Sequence, residues 1–180
     1  MRGWLDVRTP SGRGGLLHLS WRVDRGRNVL LVTAPLGTAG FLLEGRPGAW
    51  CVRTTRRGPR RIRRLRRLLR RWLGGDVPIA SVRYWMFATP APGRPSYVRY
   101  DRHVRVRLLR QQGWSVRYRR YTTLVGRVLP DRVRLAHRGL LLRILINRWT
   151  IGAGRARRGA RGERRGGTAC PRRRGATGAS

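Results

Sequence analysis

The stretch Val29-Leu30-Leu31-Val32-Thr33-Ala34-Pro35-Leu36-Gly37-Thr38-Ala39-Gly40-Phe41-Leu42-Leu43-Glu44 reads as two short apolar strands joined by a Pro-Leu-Gly turn. Two apolar runs that close on a Pro/Gly turn predict an antiparallel hairpin. The turn has one odd member. Turn tips favour Gly, Pro, Asn, Asp and Ser, which satisfy the dihedral angles or bond their own backbone, whereas Leu36 adds only an apolar side chain facing water.

The hairpin belongs to a longer series. Between Trp4 and Trp50, short apolar stretches are broken by Gly, Pro and Asp, and Leu17, Leu19 and Trp21 alternate with His18 and Ser20 at the period of a half-buried strand. The period then changes. In the stretch 56–73, Ile62, Leu65, Leu68, Leu69 and Trp72 recur at three- and four-residue steps and Gly74-Gly75 follows, which predicts an amphipathic helix. Pro78 suits the first turn of a second short helix running to Ala88. Strand patterns resume at Tyr97–Tyr100. A turn is expected at Asp101–His103, after which Val104, Val106 and Leu108 alternate with Arg105 and Arg107. Trp114, Val116 and Tyr118 share a face opposite Ser115, Arg117 and Arg119, and two further strands lead through Ile144 and Ile146 to Trp149. The expectation is a mainly β domain over 1–152 with about ten or eleven strands and helices near the middle. Residues 153–180 are almost entirely Arg, Gly and Ala and read as a disordered tail.

The chain carries 43 basic residues, all Arg, against seven acidic ones, a net charge of +36. Such a surface attracts anions of every kind, from nucleic acid to anionic lipid. Arg and Gly usage of this kind also suits a GC-rich gene. The longest apolar runs span about four residues, far short of the ~20 that cross a bilayer as a helix. Cys51 and Cys170 stand 119 positions apart and form no metal or redox motif.

Nothing here assembles a catalytic centre. The acids Asp6, Asp24, Glu44, Asp76, Asp101, Asp131 and Glu163 are scattered, mostly beside Gly or Pro, and His18, His103 and His137 stand apart. No pair is spaced for acid–base work and no nucleophile motif occurs, so neither an enzyme nor a metal or other cofactor is expected. The ten Arg between Arg56 and Arg71 fit a solvated helix face, a membrane surface or nucleic acid. The Arg/Gly tail fits single-stranded nucleic-acid binding and equally an unselected GC-rich extension. Trp21, Trp50, Trp85, Trp114 and Trp149 fit ordinary core packing. They also fit the lining of a cavity under a curved sheet that two short helices cover thinly.

In order and spacing, the stretches SWRV, APLGTAGFLLEGRPG, VPIASVRYWMFATPAPG, QQGWSVRYRRY, LPDRVRL and ILINRW resemble the LolB family of outer-membrane lipoprotein receptors from Gly3 to Trp149. The resemblance implies an unclosed antiparallel β-barrel, lidded by helices, whose apolar cavity holds the acyl chains of lipoproteins. It implies a monomer that accepts lipoproteins from the periplasmic carrier LolA and delivers them to the inner leaflet of the outer membrane, without catalysis. Strand and helix parity, read with that resemblance, assigns the cavity to Leu17, Leu19, Trp21, Leu30, Val32, Trp85, Met86, Trp114, Tyr118, Ile144 and Ile146. Motif alignment assigns Pro35, Leu36 and Gly37 to the family's membrane-delivery loop. The resemblance also places the protein at the periplasmic face of the outer membrane. Met1–Val7 lacks the apolar segment and cleavage site of a secretory signal, so the chain reads as a truncated member without the lipidated Cys. The reading from a different class is a basic β domain that binds nucleic acid through the Arg-rich helix and tail.

Overall fold

The computed structural model describes residues 1–151 apart from 47 and 63, so the Arg/Gly tail expected over 153–180 lies outside the described residues. Eleven antiparallel strands form one sheet: β1 (Arg2–Arg8), β2 (Gly14–Asp24), β3 (Arg27–Thr33), β4 (Gly40–Arg46), β5 (Ala49–Thr54), β6 (Arg57–Ile62), β7 (Tyr97–Tyr100), β8 (Val106–Gln111), β9 (Trp114–Leu124), β10 (Arg127–His137) and β11 (Leu140–Arg148). Helices α1 (Leu65–Leu73) and α2 (Ile79–Trp85) lie between β6 and β7.

Strand order is β6-β5-β4-β3-β2-β1-β11-β10-β9-β8-β7. Every pairing joins strands consecutive in sequence except that of β1 with β11, which joins the two halves of the chain into one curved surface. Gly3 sits at a register shift in that junction, and a Cβ there would run into the carbonyl of Leu145. The sheet does not close. The chain leaves it at one edge, β6, and re-enters at the other, β7, through the two helices, so connectivity alone carries them across the opening.

Alternation places one apolar set on the inner face, and the register lines that set up in rungs. Val52, Leu43, Leu30 and Trp21 face one another across β5 to β2. Phe41, Val32, Leu19, Gly3 and Ile146 form the next rung. Leu17, Leu5, Ile144, Val133 and Tyr118 follow, then Val7, Leu142, Leu135, Val116 and Leu109. Burial of one such Leu or Val side chain contributes roughly 1.5–3 kcal/mol. A slip of one residue in any strand would turn its share of every rung to solvent.

Two expectations need correction. The helix expected over 56–73 is confined to Leu65–Leu73, and Arg57–Ile62 is a strand paired with β5, Ile62 opposite Trp50. Pro59 opposes a helix interior but is tolerated on an edge strand, and β6 is the edge. Within the block of ten Arg, Arg57, Arg60 and Arg61 lie on the sheet edge and Arg66, Arg67, Arg70 and Arg71 on α1, so these form no single basic helical face. Val104, expected to begin the strand pattern, lies in the β7–β8 turn with φ 58°. Asp101 organises that turn by accepting the backbone N–H groups of His103 and Arg105.

Candidate functional site

The residues assigned to a cavity converge. Leu19, Trp21, Leu30, Val32, Trp114, Tyr118, Ile144 and Ile146 are buried in one apolar cluster on the inner face, Leu17 is half-buried against it, and Trp85 and Met86 enter it from the end of α2. Pro35, Leu36 and Gly37 lie apart from them, on the β3–β4 loop.

Polar bonds fix parts of this apolar surface. The Trp21 indole N–H donates to Asn28 Oδ1 at 3.2 Å, and the buried Asn28 amide donates in turn to the Gly26 carbonyl. Trp85 donates to Gln111 Oε1 at 2.9 Å, and Tyr118 donates to the Trp85 carbonyl at 2.8 Å. Burial pushes the Tyr118 phenol far above its usual range, so it stays a neutral donor. Gln111 also accepts from the Ala91 N–H and donates to the carbonyls of Ala91 and Gly93. Ser81 donates to Gln112. Helix α2 and the segment after it are thus tied to β8 and β9 by polar bonds in an apolar setting, where an unmade bond is expensive. Sequence reading missed Gln111; a glutamine ending an apolar strand just before a Gln-Gly turn was the available signal.

Helix α1 is held differently. Its apolar stripe places Leu69 in the core, with Leu65, Leu68, Trp72 and Leu73 packed partly buried beside it, and the Trp72 ring lies 4.9 Å from that of Phe41 on β4. Gly74 ends the helix in the left-handed conformation, its N–H donating to the Arg70 carbonyl, and Arg70 and Arg71 in the last turn suit the helix dipole. Among the described residues its side-chain polar bonds run to Asp76, just beyond the helix, from Arg66 and Arg70. The Arg70 hydrogen bond, first of all, holds the Asp76 carboxyl at about 2, below its ordinary 3.8. Among the described residues no such bond joins α1 to the sheet, so displacing this helix exposes apolar surface but breaks no side-chain hydrogen bond to a described strand residue.

The β3–β4 loop projects. The Gly37 N–H donates to the Ala34 carbonyl and the Ala34 N–H to that of Ala39, and Gly37 adopts φ 68°, a conformation open to glycine. Leu36 is 88% exposed at the tip. The turn is closed by backbone bonds alone and leaves the leucine unpacked.

The family model described as outer membrane lipoprotein LolB matches residues 1–149. The outer-membrane lipoprotein LolB of Ectopseudomonas mendocina is 30% identical over 149 residues, which cover 83% of this chain and 72% of that protein. The protein of the same name from Pseudomonas savastanoi pv. phaseolicola is 31% identical over 151 residues, 83% of this chain and 72% of that one. That from Nitrosococcus oceani is 32% identical over 139 residues, 77% of this chain and 68% of that one.

Proposed function

Because the chain belongs to the LolB family of outer-membrane lipoproteins, we propose that it is a lipoprotein receptor that buries acyl chains against the inner face of its sheet and delivers them to the outer membrane. The observation that carries this reading is the apolar inner face beneath α1, a helix with no side-chain polar bond to any strand among the described residues. An acyl chain that enters displaces α1 and replaces its apolar contacts with its own.

The energetics need no nucleotide. Each buried methylene is worth about 0.8 kcal/mol, so a small difference in how much of the chain is covered sets the direction of transfer between two apolar sites. The donor in this reading is the periplasmic carrier LolA and the acceptor is the periplasmic leaflet of the outer membrane. Leu36 leads delivery: an apolar side chain on a tip that does not fold back reaches the acyl boundary before the body of the protein. The protein acts as a monomer, and no bond is made or broken.

Titration of the whole chain with a fluorescent long-chain fatty acid tests the reading. Saturable binding that survives a rise in salt is expected, since apolar burial is little screened. Absence of acyl binding, together with RNA binding that falls steeply with salt, would overturn it in favour of a phosphate-binding domain.

A further inference from the structure

A second site lies apart from Leu36 and borders the inner face, with which it shares Tyr118. Successive strands reverse direction, so the β3–β4 loop that carries Leu36 and the β7–β8 turn stand at opposite ends of the sheet. At the latter end, a cleft of about 180 Å³ opens between the β7–β8 turn and β9. Its wall is basic: Arg107 on β8 and Arg119 and Arg120 on β9 line it, together with the paired Arg105 and Asp101.

The carboxylate in this wall is already engaged. Asp101 accepts the Arg105 guanidinium at 2.8 Å and the two turn N–H groups. Arg107, Arg119 and Arg120 have no ion pair among the described residues. Arg120 also pairs with Arg132 at an irregular step of the β9–β10 ladder, which adds a second positive charge nearby. Tyr121 closes the floor: its hydroxyl donates to the Val106 carbonyl and the Arg105 guanidinium lies over its ring. The cleft therefore gathers three unpaired planar forks, the geometry that grips phosphate oxygens two at a time.

The loops at this end of the sheet say what carries the phosphate. Val104 in the β7–β8 turn and Val125 at the tip of the β9–β10 hairpin are 80% and 81% exposed, and both hold positive φ, 58° and 49°. A β-branched residue rarely takes that conformation. Two exposed valines at the same end of the sheet as the basic cleft, one of them in the turn that walls it, match a lipid surface, with valines at the acyl boundary and arginines among headgroups. We propose that this cleft binds the phosphate of an anionic phospholipid headgroup and seats this end of the sheet on the membrane. In that seating Leu36 points away from the surface, so the cleft and the delivery loop define two separate orientations.

Binding of the full chain to vesicles of phosphatidylglycerol and phosphatidylcholine tests this by comparing two triple variants of equal charge change. Arg107→Gln/Arg119→Gln/Arg120→Gln is expected to weaken binding about tenfold or more near 0.15 M salt, because each arginine at an anionic surface adds to affinity. Arg13→Gln/Arg56→Gln/Arg138→Gln alters loops at the far end. An eleven-residue strand such as β9 runs roughly 35 Å, against a Debye length of about 8 Å, so this variant should lose less than about threefold. Equal losses would overturn the proposal, since binding would then follow net charge. Thermal melting in sodium phosphate against chloride at matched ionic strength separates the sources. If phosphate protects the native chain but not the cleft variant, while vesicle binding is the same for both variants, the cleft takes free phosphate and the lipid assignment fails. Removal of three mutually repelling charges should leave melting in chloride unchanged or higher, so lost binding in the cleft variant reports the cleft itself.

Discussion

The indole N–H of Trp85 on α2 donates to the side-chain carbonyl of Gln111 on β8 at 2.9 Å, with both residues buried. Gln111 simultaneously holds the backbone at Ala91 and Gly93. One side chain thus fixes both the helix and the exit from it.

Gln111→Leu would leave the Trp85 N–H and both the N–H and the carbonyl of Ala91 unpaired in a dry setting. At roughly 1–3 kcal/mol for an unsatisfied buried group, and allowing for partial relaxation, the loss should be about 3 kcal/mol or more. In a domain of this size that lowers the melting temperature by roughly 6–12 °C. A thermal melt followed by tryptophan fluorescence measures it; a change of a degree or two would refute the clamp.

The two helices should differ in amide exchange. Helix α2 is bound to the sheet by side-chain hydrogen bonds, whereas α1 rests on apolar contact and on Asp76. Exchange read by mass spectrometry should therefore show α1 opening at lower free energy than α2 or the central strands β1 and β11. Occupation of the inner face by a fatty acid should speed exchange in α1 further. Equal protection of both helices would mean that α1 is no lid.

Leu36→Glu should leave stability within about 0.5 kcal/mol, because the side chain makes no packing contact to lose. Acyl-probe binding should be retained and transfer of a bound lipoprotein into vesicles strongly reduced. A stopped-flow transfer assay distinguishes the two steps. Unchanged transfer would remove the loop from the delivery step.

Asp76→Asn tests the tether of α1. The folded-state carboxyl titrates at about 2 against an ordinary 3.8, so its stabilising effect is present above 3.8 and disappears as pH falls through about 2. The carboxylate remains partly open to solvent, and screening limits the effect to less than about 1 kcal/mol. Denaturant unfolding should show the variant weaker at pH 7, the gap closing as pH approaches 2 and narrowing with added salt. A gap independent of pH would point to packing rather than to charge.

The boundary at Ile62 shows where sequence reading fell short. Ile62 fits a helical stripe with Leu65 and Leu69 as well as it fits a strand opposite Trp50, and only the presence of β5 decides between them. Strand parity elsewhere was legible because alternation is local. Leu17, Leu19 and Trp21 share a face whatever the rest of the chain does.

What the sequence determined by itself was the local periods: which residues share a strand face, that two helices interrupt the strands, and that Leu36 tips a turn. The LolB resemblance was carried by those same local motifs in order. What tertiary structure alone decided was every relationship between distant residues. The pairing of β1 with β11 sets Leu5 beside Ile144, Gln111 reaches back to Trp85, and the bends around β8 and β9 gather Arg107, Arg119 and Arg120 about one cleft. The physical reason is that hydrogen-bond register and side-chain packing act through space. A partner supplied by a distant stretch leaves no period in the local sequence, so a buried glutamine or an unpaired arginine acquires its meaning only once the fold has chosen its neighbours.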